Sequence, residues 1–361
     1  MILETNIKGY SPDIRTPVEK LNIFIGKNES GKSSLALGAT LPMTGIALDE
    51  LFRGKLTGRN LKSLRHEDDE IVFAQLSLGD VLLARWEQEG KGNPSVSGKV
   101  GGKYADVWSE LRDALAGYSP KLLLCILNSP RGQELITPEI TGVMARYEET
   151  QKEIAKHKKA DPGPIPSMPP DPSEEALAAF EELERAAGKG VDVRAYRKRV
   201  ASACSELGRW KRGKQRVEAR AAFDRRAAEL KAILSGHKDH LIRVSQPVAD
   251  EVCAAASTHL RKGESISLDL TANTLVFTRN AVPHLAPSRT LEAWIIMALG
   301  SVLWGGKGVL TVPDLQWDFK NCVAWLDATA RSDLGMVSLT LASLKHNVKL
   351  HDAWNVVRLE G

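Results

Sequence analysis

A chain of 361 residues, 43% apolar and 26% charged, has the make-up of a folded protein of two or three domains and excludes a fibrous or wholly disordered one. Its four cysteines, Cys125, Cys204, Cys253 and Cys322, lie far apart without a Cys-x-x-Cys spacing, which argues against a zinc clip or a disulfide framework. The longest apolar run of the C-terminal third, Ala293 to Trp304, is too short to span a bilayer, and the first residues lack the pattern of a secretory signal, so the expectation is a cytoplasmic chain with no membrane partner. The formal net charge of +4 indicates a partner only if the charge is concentrated somewhere.

Met1 to Tyr10 reads as a strand, and Leu21 to Ile25 as a short apolar strand that ends in glycine. Ser33 to Ala39 suits a helix. Glu70 to Trp86 alternates on both sides of Gly79-Asp80, which predicts a hairpin. Gly90 to Gly102 is a loop, Tyr104 to Leu115 a helix, and Leu122 to Leu127 reads as a buried strand. From Pro138 the texture is polar and helical. Six prolines between Asp161 and Pro172 break it, because proline lacks an amide donor and clashes with the preceding turn. Ser173 caps the next helix, whose first turn is acidic at Glu174 and Glu175. Val193 to Leu234, charged and weakened at Gly208 and Gly213, predicts a helix pair or a short coiled coil that folds back on itself. Beyond His240 come a helix over Val248 to Leu260, a hairpin around Ala272 and Asn273, a helix over Leu291 to Leu303, and a buried strand at Val309 to Val312. A helix over Phe319 to Thr329, a strand over Met336 to Leu341 and an edge strand at Trp354 to Leu359 complete the chain.

The segment Gly26-Lys27-Asn28-Glu29-Ser30-Gly31-Lys32-Ser33 satisfies the G-x-x-x-x-G-K-[ST] pattern, with a strand before it and Ser34-Leu35-Ala36 opening a helix after it. In such a loop the glycines let the backbone curl around phosphates and the amides supply positive potential. Lys32 reaches the outer phosphates, and the Ser33 hydroxyl ligates magnesium. The expected ligands are ATP and Mg2+. A second landmark is Val309-Leu310-Thr311-Val312-Pro313-Asp314, where an aspartate follows an apolar strand in the position of a magnesium-holding carboxylate.

With these residues in view, the chain resembles an ABC-type P-loop ATPase of the SMC and RecF group, in which a helical arm splits the head. Leu21 to Leu35 carries the likeness, Asn28 and the Ser33-Ser34 pair above all. The resemblance implies an α/β head of residues 1–137 and 263–361 split by a helical, short coiled-coil-like insertion of residues 138–262, with the proline break at 161–172. It implies an ATP-dependent homodimer in replication, repair or defence, working alongside a nuclease or loader. Ser288, at the start of Ser288-Arg289-Thr290-Leu291-Glu292, aligns with the serine that reaches the opposite head's nucleotide, although Thr290 stands where a glycine belongs; a plain helix cap is the other reading. The resemblance puts a magnesium-sensing residue at Asn128, with Gln133 near it, and a switch residue near Thr340 or His346. Leu315 follows Asp314 where active members carry an acid, so hydrolysis is expected to be slow or absent, with Gln316 as the water-orienting candidate.

Between Lys189 and Lys238 stand fifteen Lys or Arg against five Asp or Glu. Arg209, Trp210, Lys211, Arg212, Lys214 and Arg216 are the candidate nucleic-acid contacts, through counterion release at phosphates, with Trp210 either stacking on a base or packing against the other arm helix. Three functions stand open: an ATP-gated DNA-binding head, a non-hydrolysing nucleotide-dependent scaffold for a protein partner, and a P-loop kinase of a small molecule.

Overall fold

The computed structural model describes residues 1–7, 10–11, 13–27, 30–45, 71–89, 94–117, 121–164, 170–189, 197–272, 274–284, 288–312, 319–343 and 350–359. The first half contains β1 (Ile2–Thr5), β2 (Thr16–Pro17), β3 (Leu21–Ile25), α1 (Lys32–Thr44), β4 (Ile71–Leu78), β5 (Val81–Glu89), β6 (Ser95–Ser97) and β7 (Ala105–Asp106). The helices α2 (Val107–Gly117), α3 (Lys121–Asn128), α4 (Pro130–Leu135), α5 (Pro138–Lys159), α6 (Glu174–Gly188) and α7 (Arg197–Ser257) follow. The last part contains β8 (Glu264–Asp269), β9 (Thr274–Arg279), β10 (Val282–His284), α8 (Arg289–Leu303), β11 (Gly308–Val312), α9 (Phe319–Ala330), β12 (Met336–Leu341) and β13 (Trp354–Arg358). Among the described residues no helix is long and apolar enough to cross a membrane.

The chain divides into two compact units, Met1–Ile140 with Ile242–Gly361, and Thr141–Leu241. The first is a mixed α/β unit. Its central sheet, in the order β13-β3-β12-β11-β7, is parallel throughout, and its three inner strands are buried on both faces, which is why Leu21–Ile25 and Met336–Leu341 read as largely apolar runs. A second sheet, β2-β1-β4-β5-β6, is antiparallel, and its β4–β5 hairpin turns at Gly79-Asp80 as the sequence predicts, with Gly79 at φ 56°. A third small sheet joins β8, β9 and β10.

Helix α1 lies between the first two sheets. Leu35, Ala36, Ala39 and Met43 pack with Phe24, Val309 and Met336, while Leu37 and Leu41 pack with Val72, Ala74 and Trp86. A helix covered on both sides needs small and apolar residues all round, and the sequence LALGATLPM supplies them. It starts where Gly31 at φ 88° releases the chain into the first turn and stops at Gly45, φ 73°, whose N–H closes on the Leu41 carbonyl.

Three readings of the sequence need correction. Leu122 to Leu127 is helix α3, not a strand: Leu122, Leu123, Ile126 and Leu127 are buried, a helical spacing concealed because every residue of the run is apolar. Gly90 to Gly102 is not entirely loop, since Ser95–Ser97 pairs with β5. The described part of the stretch read from Val193 to Leu234 is not a helix pair: from Arg197 onward it belongs to the single 61-residue helix α7, which also takes in most of the helix predicted over Val248 to Leu260. Each glycine costs a helix only about 1 kcal/mol, and packing overrides that: Gly213 is buried. The part of α7 from Ile242 onward belongs to the first unit, where Gln246 bonds Leu268 O and Leu270 N, and Ser257 accepts from Ile266 N.

In the second unit α5 and α7 run antiparallel. The His157 ring stacks on Phe223 at 4.0 Å, and four residues earlier on α5 Glu153 meets Arg226, three residues later on α7. The covered positions of α5, Val143, Tyr147, Thr150, Ile154 and His157, repeat at spacings of four and three, as do Phe223, Ala227, Leu230, Leu234, His237 and Leu241 on α7. That is the seam of a short coiled coil. The proline segment closes it: Arg220 pairs with Asp161 at 2.7 Å and donates to Gly163 O. Ser173 caps α6, accepting from Ala176 N as its sequence predicts.

Candidate functional site

The glycine loop leaves the C-terminal end of β3, inside the parallel sheet, and enters α1. Lys32, 7% exposed, turns back under the loop and donates to Gly26 O at 2.6 Å and Lys27 O at 2.7 Å. Its ammonium is thus held at the centre of the turn. A side chain on Gly26 would run into Ser30 Oγ and Leu359 O, and one on Gly31 would lie 2.8 Å from the Tyr10 ring, so backbone must form both walls. Ser30 Oγ is shielded from solvent and has no hydrogen-bond partner among the described residues. Ser33 is half-buried in the first turn and Ser34 is buried behind it. Asn28 lies outside the described residues.

The neighbouring strands bring the described part of the second landmark, Val309 to Val312, into the same parallel sheet, so that β11 ends on the same side as β3. β12 lies between β3 and β11, and β11 ends at Val312, one residue short of Pro313. Asp314, Leu315 and Gln316 lie outside the described residues, as does His346. Thr340, 1% exposed on β12, donates to Val312 O at 3.5 Å. Tyr10 and Leu359, which wall the loop, carry no signal in the sequence because nothing in the motif refers to residues that far along the chain; Leu359 N donates to Ile25 O at 2.8 Å.

The other candidates separate. Asn128 is exposed at the C-terminal end of α3, so the strand on which its assignment as a magnesium sensor rested is absent. Gln133 donates to Leu127 O at 2.7 Å and so closes the α3–α4 turn. Ser288 caps α8: its Oγ accepts from Leu291 N at 3.4 Å and lies 3.0 Å from Thr290 Oγ1.

On α7, Arg209, Lys211, Arg212, Lys214 and Arg216 are all exposed. Lys211 Nζ sits 5.5 Å from the centre of the Phe180 ring and Lys214 Nζ 5.3 Å from that of Trp210. Trp210 is half-buried and its indole N–H donates to the Asp171 carboxylate at 3.1 Å. That bond ties the ring to the segment just before α6.

Among the described residues, the ionisable groups most altered by the fold lie away from the loop. Burial pushes the Asp106 carboxyl up to about 7 at the β7–α2 junction, where β7 pairs with the start of β11. Burial likewise pushes the Cys125 and Cys253 thiols up to about 12, and it lowers His259.

No protein family and no curated protein matches the chain. Among solved structures it is similar to the Smc head domain with an extended coiled coil, bound to the C-terminal domain of ScpA, from Pyrococcus furiosus, at 14% identity over 94% of this chain and 89% of that one, with a TM-score of 0.37. It is also similar to the recombination mediator protein RecF with ATP, of the RecFOR pathway, at 13% identity over 96% and 92%, TM-score 0.44. A third likeness is to the Smc head bound to the C-terminal winged-helix domain of ScpA, at 13% identity over 96% and 90%, TM-score 0.39.

Proposed function

We propose that this chain binds ATP with magnesium in the Gly26–Ser33 loop, dimerises when the nucleotide is bound, and holds DNA on the basic face of its helical arm. The observation that carries the reading is the loop itself. A buried lysine is held at the centre of a glycine turn by two backbone carbonyls, the helix α1 opens immediately beyond it, and the Ser30 hydroxyl is desolvated with nothing to bond. Desolvating a hydroxyl without a partner costs about 1–3 kcal/mol, and a phosphate oxygen is the acceptor that such a cradle suits.

The residues present therefore fit the nucleotide. Lys32 is the cation for the outer phosphates, and the amides of the loop and the first turn of α1 supply the remaining donors. Ser33 and Asp314 are the residues that would hold magnesium, which when bound supplies positive charge to the phosphate oxygens. Ser288, at the N-terminus of α8, is the candidate contact to a partner head's nucleotide.

Leu315 favours slow hydrolysis, since a leucine after Asp314 supplies no carboxylate to polarise water. The same residue favours a second reading, a non-hydrolysing nucleotide-dependent scaffold. Phosphate release with and without DNA separates the two.

Isothermal titration with ATP and magnesium tests the site. Lys32→Ala should weaken binding at least about tenfold, as expected when one charge-assisted hydrogen bond is removed, and should abolish ATP-dependent dimerisation in sedimentation. An affinity equal to that of the parent chain would refute the assignment.

A further inference from the structure

Two residues outside the glycine motif stand against its two glycines. Carbons of the Tyr10 ring lie 2.8 and 3.0 Å from where a Cβ on Gly31 would be, and the Leu359 carbonyl oxygen and Cβ lie 2.9 and 3.1 Å from the corresponding position on Gly26. Each is itself tethered. Tyr10 N donates to Ile7 O at 3.2 Å and its hydroxyl lies 3.5 Å from Thr16 Oγ1, while Leu359 N donates to Ile25 O at 2.8 Å. Both side chains pack on the buried cluster that contains Phe24 of β3 and Leu35, Ala36 and Ala39 of α1, the two elements that the loop joins.

What these residues present to the loop is ring carbon, aliphatic carbon and a carbonyl oxygen, none of which attracts an anion. Their effect on a phosphate must therefore pass through the backbone they touch. Glycine has more conformational freedom to lose than any other residue, and Gly31, at φ 88°, has no side chain of its own to hold it there. A loop that wraps a triphosphate with its amides is ordered either during folding or on binding, and only the second weakens affinity.

Resting on the phosphate-binding reading above, we infer that Tyr10 and Leu359 are positioning residues for the nucleotide: they hold Gly31 and Gly26 in the phosphate-accepting curl before the ligand arrives, and they make no contact with the base or ribose. Preorganisation by two side chains from separate parts of the chain then sets the affinity of a loop whose own residues supply every phosphate contact.

The test compares ATP with inorganic tripolyphosphate, both with magnesium, by isothermal titration on the full chain. Tyr10→Ala and Leu359→Ala should each weaken the two ligands by the same factor, about fivefold to tenfold, although the loop amides, Lys32 and Ser33 are all kept. Tyr10→Phe and Leu359→Met, which keep the ring and the aliphatic bulk, should bind as the parent does. In the ligand-free chain, amide hydrogen exchange at Gly26 and Gly31 should quicken in the alanine variants and not in the conservative pair. Weakened ATP binding with unchanged tripolyphosphate binding would overturn the inference, because the side chain would then be touching the base or ribose. A lower melting temperature with unchanged affinity and unchanged exchange would overturn it in favour of a role in the fold alone. Where an alanine variant does not fold, Tyr10→Leu and Leu359→Val take its place, with the same comparisons and smaller factors. If the parent chain binds neither ligand, the phosphate reading and this inference fail together. A parent that binds both, loses them in Lys32→Ala and keeps them in the variants at Tyr10 and Leu359 overturns the inference alone.

Discussion

The Thr40 hydroxyl on α1 and the Thr311 hydroxyl on β11 bond directly to each other in the buried layer between helix and sheet. Thr40 gives its proton to the Ala36 carbonyl at 2.8 Å, so Thr311 is the donor of the pair. The bond joins the helix that carries Lys32 and Ser33 to the strand that precedes Asp314.

Changing Thr311 to Val removes the donor but leaves Thr40 bonded to Ala36, and should cost about 1 kcal/mol. Thr40→Val strands the Thr311 hydroxyl in the core and should cost more, about 1–3 kcal/mol. The double variant should be less destabilised than the sum of the two by at least about 0.5 kcal/mol. Urea unfolding of all four chains measures that coupling, and strict additivity would show that the hydroxyls do not depend on each other.

Ser30→Ala should affect the free and the liganded protein in opposite directions. Removing a buried hydroxyl that has no partner should stabilise the ligand-free chain, by on the order of 1 kcal/mol, while the rise in melting temperature produced by ATP and magnesium should shrink. Thermal melts with and without nucleotide give both numbers. A less stable free chain with an undiminished ATP effect would mean that the hydroxyl serves the fold and not the ligand.

Asp106 makes stability depend on pH. Its carboxyl, near 3.8 when unfolded, is pushed up to about 7 mainly by burial, with Glu110 adding to the effect while the Ser109 and Trp108 contacts oppose it. Between those values the folded chain holds a proton that the unfolded chain has released, so this group's contribution to stability falls as pH rises from about 4 to about 7 and is level above that. Asparagine retains an oxygen for the Ser109 amide and cannot ionise. Asp106→Asn should therefore be more stable than the parent at pH 8, by at least on the order of 1 kcal/mol, and the difference should close toward pH 4.5. A pH-independent difference in urea midpoint would mean that the carboxyl is not what titrates.

Much of the fold and of the candidate site is legible in the amino-acid sequence, and for particular reasons. The Gly26–Ser33 loop announces itself because its backbone demands glycine at fixed places, and the β4–β5 hairpin because Gly79-Asp80 interrupts two alternating runs. Leu122 to Leu127 imitates a strand because six apolar residues in a row have no polar side to reveal their period. The single helix α7 hides behind Gly208 and Gly213, whose local cost is real but smaller than the packing that overrides it. Trp210 shows the same limit for function: the charges around it indicate a surface, whereas Asp171, thirty-nine residues away, decides what the indole does. Tyr10 over Gly31 and Thr40 against Thr311 are products of tertiary contact, with no local pattern to signal them.

The strand beneath the loop has a neighbour that lies far downstream in the sequence. β13 pairs with β3 in parallel, Asn355 bonds Asn22 across 333 positions, and Leu359 closes on Ile25. A nascent chain therefore carries its glycine turn out of the ribosome long before β13 and cannot finish the floor beneath the turn until β13 has been translated. Contacts of such separation are slow to form because so long a loop must close before they are made. On the proposed function, nucleotide capture would then act as a checkpoint, open to chains that have already brought β13 to β3.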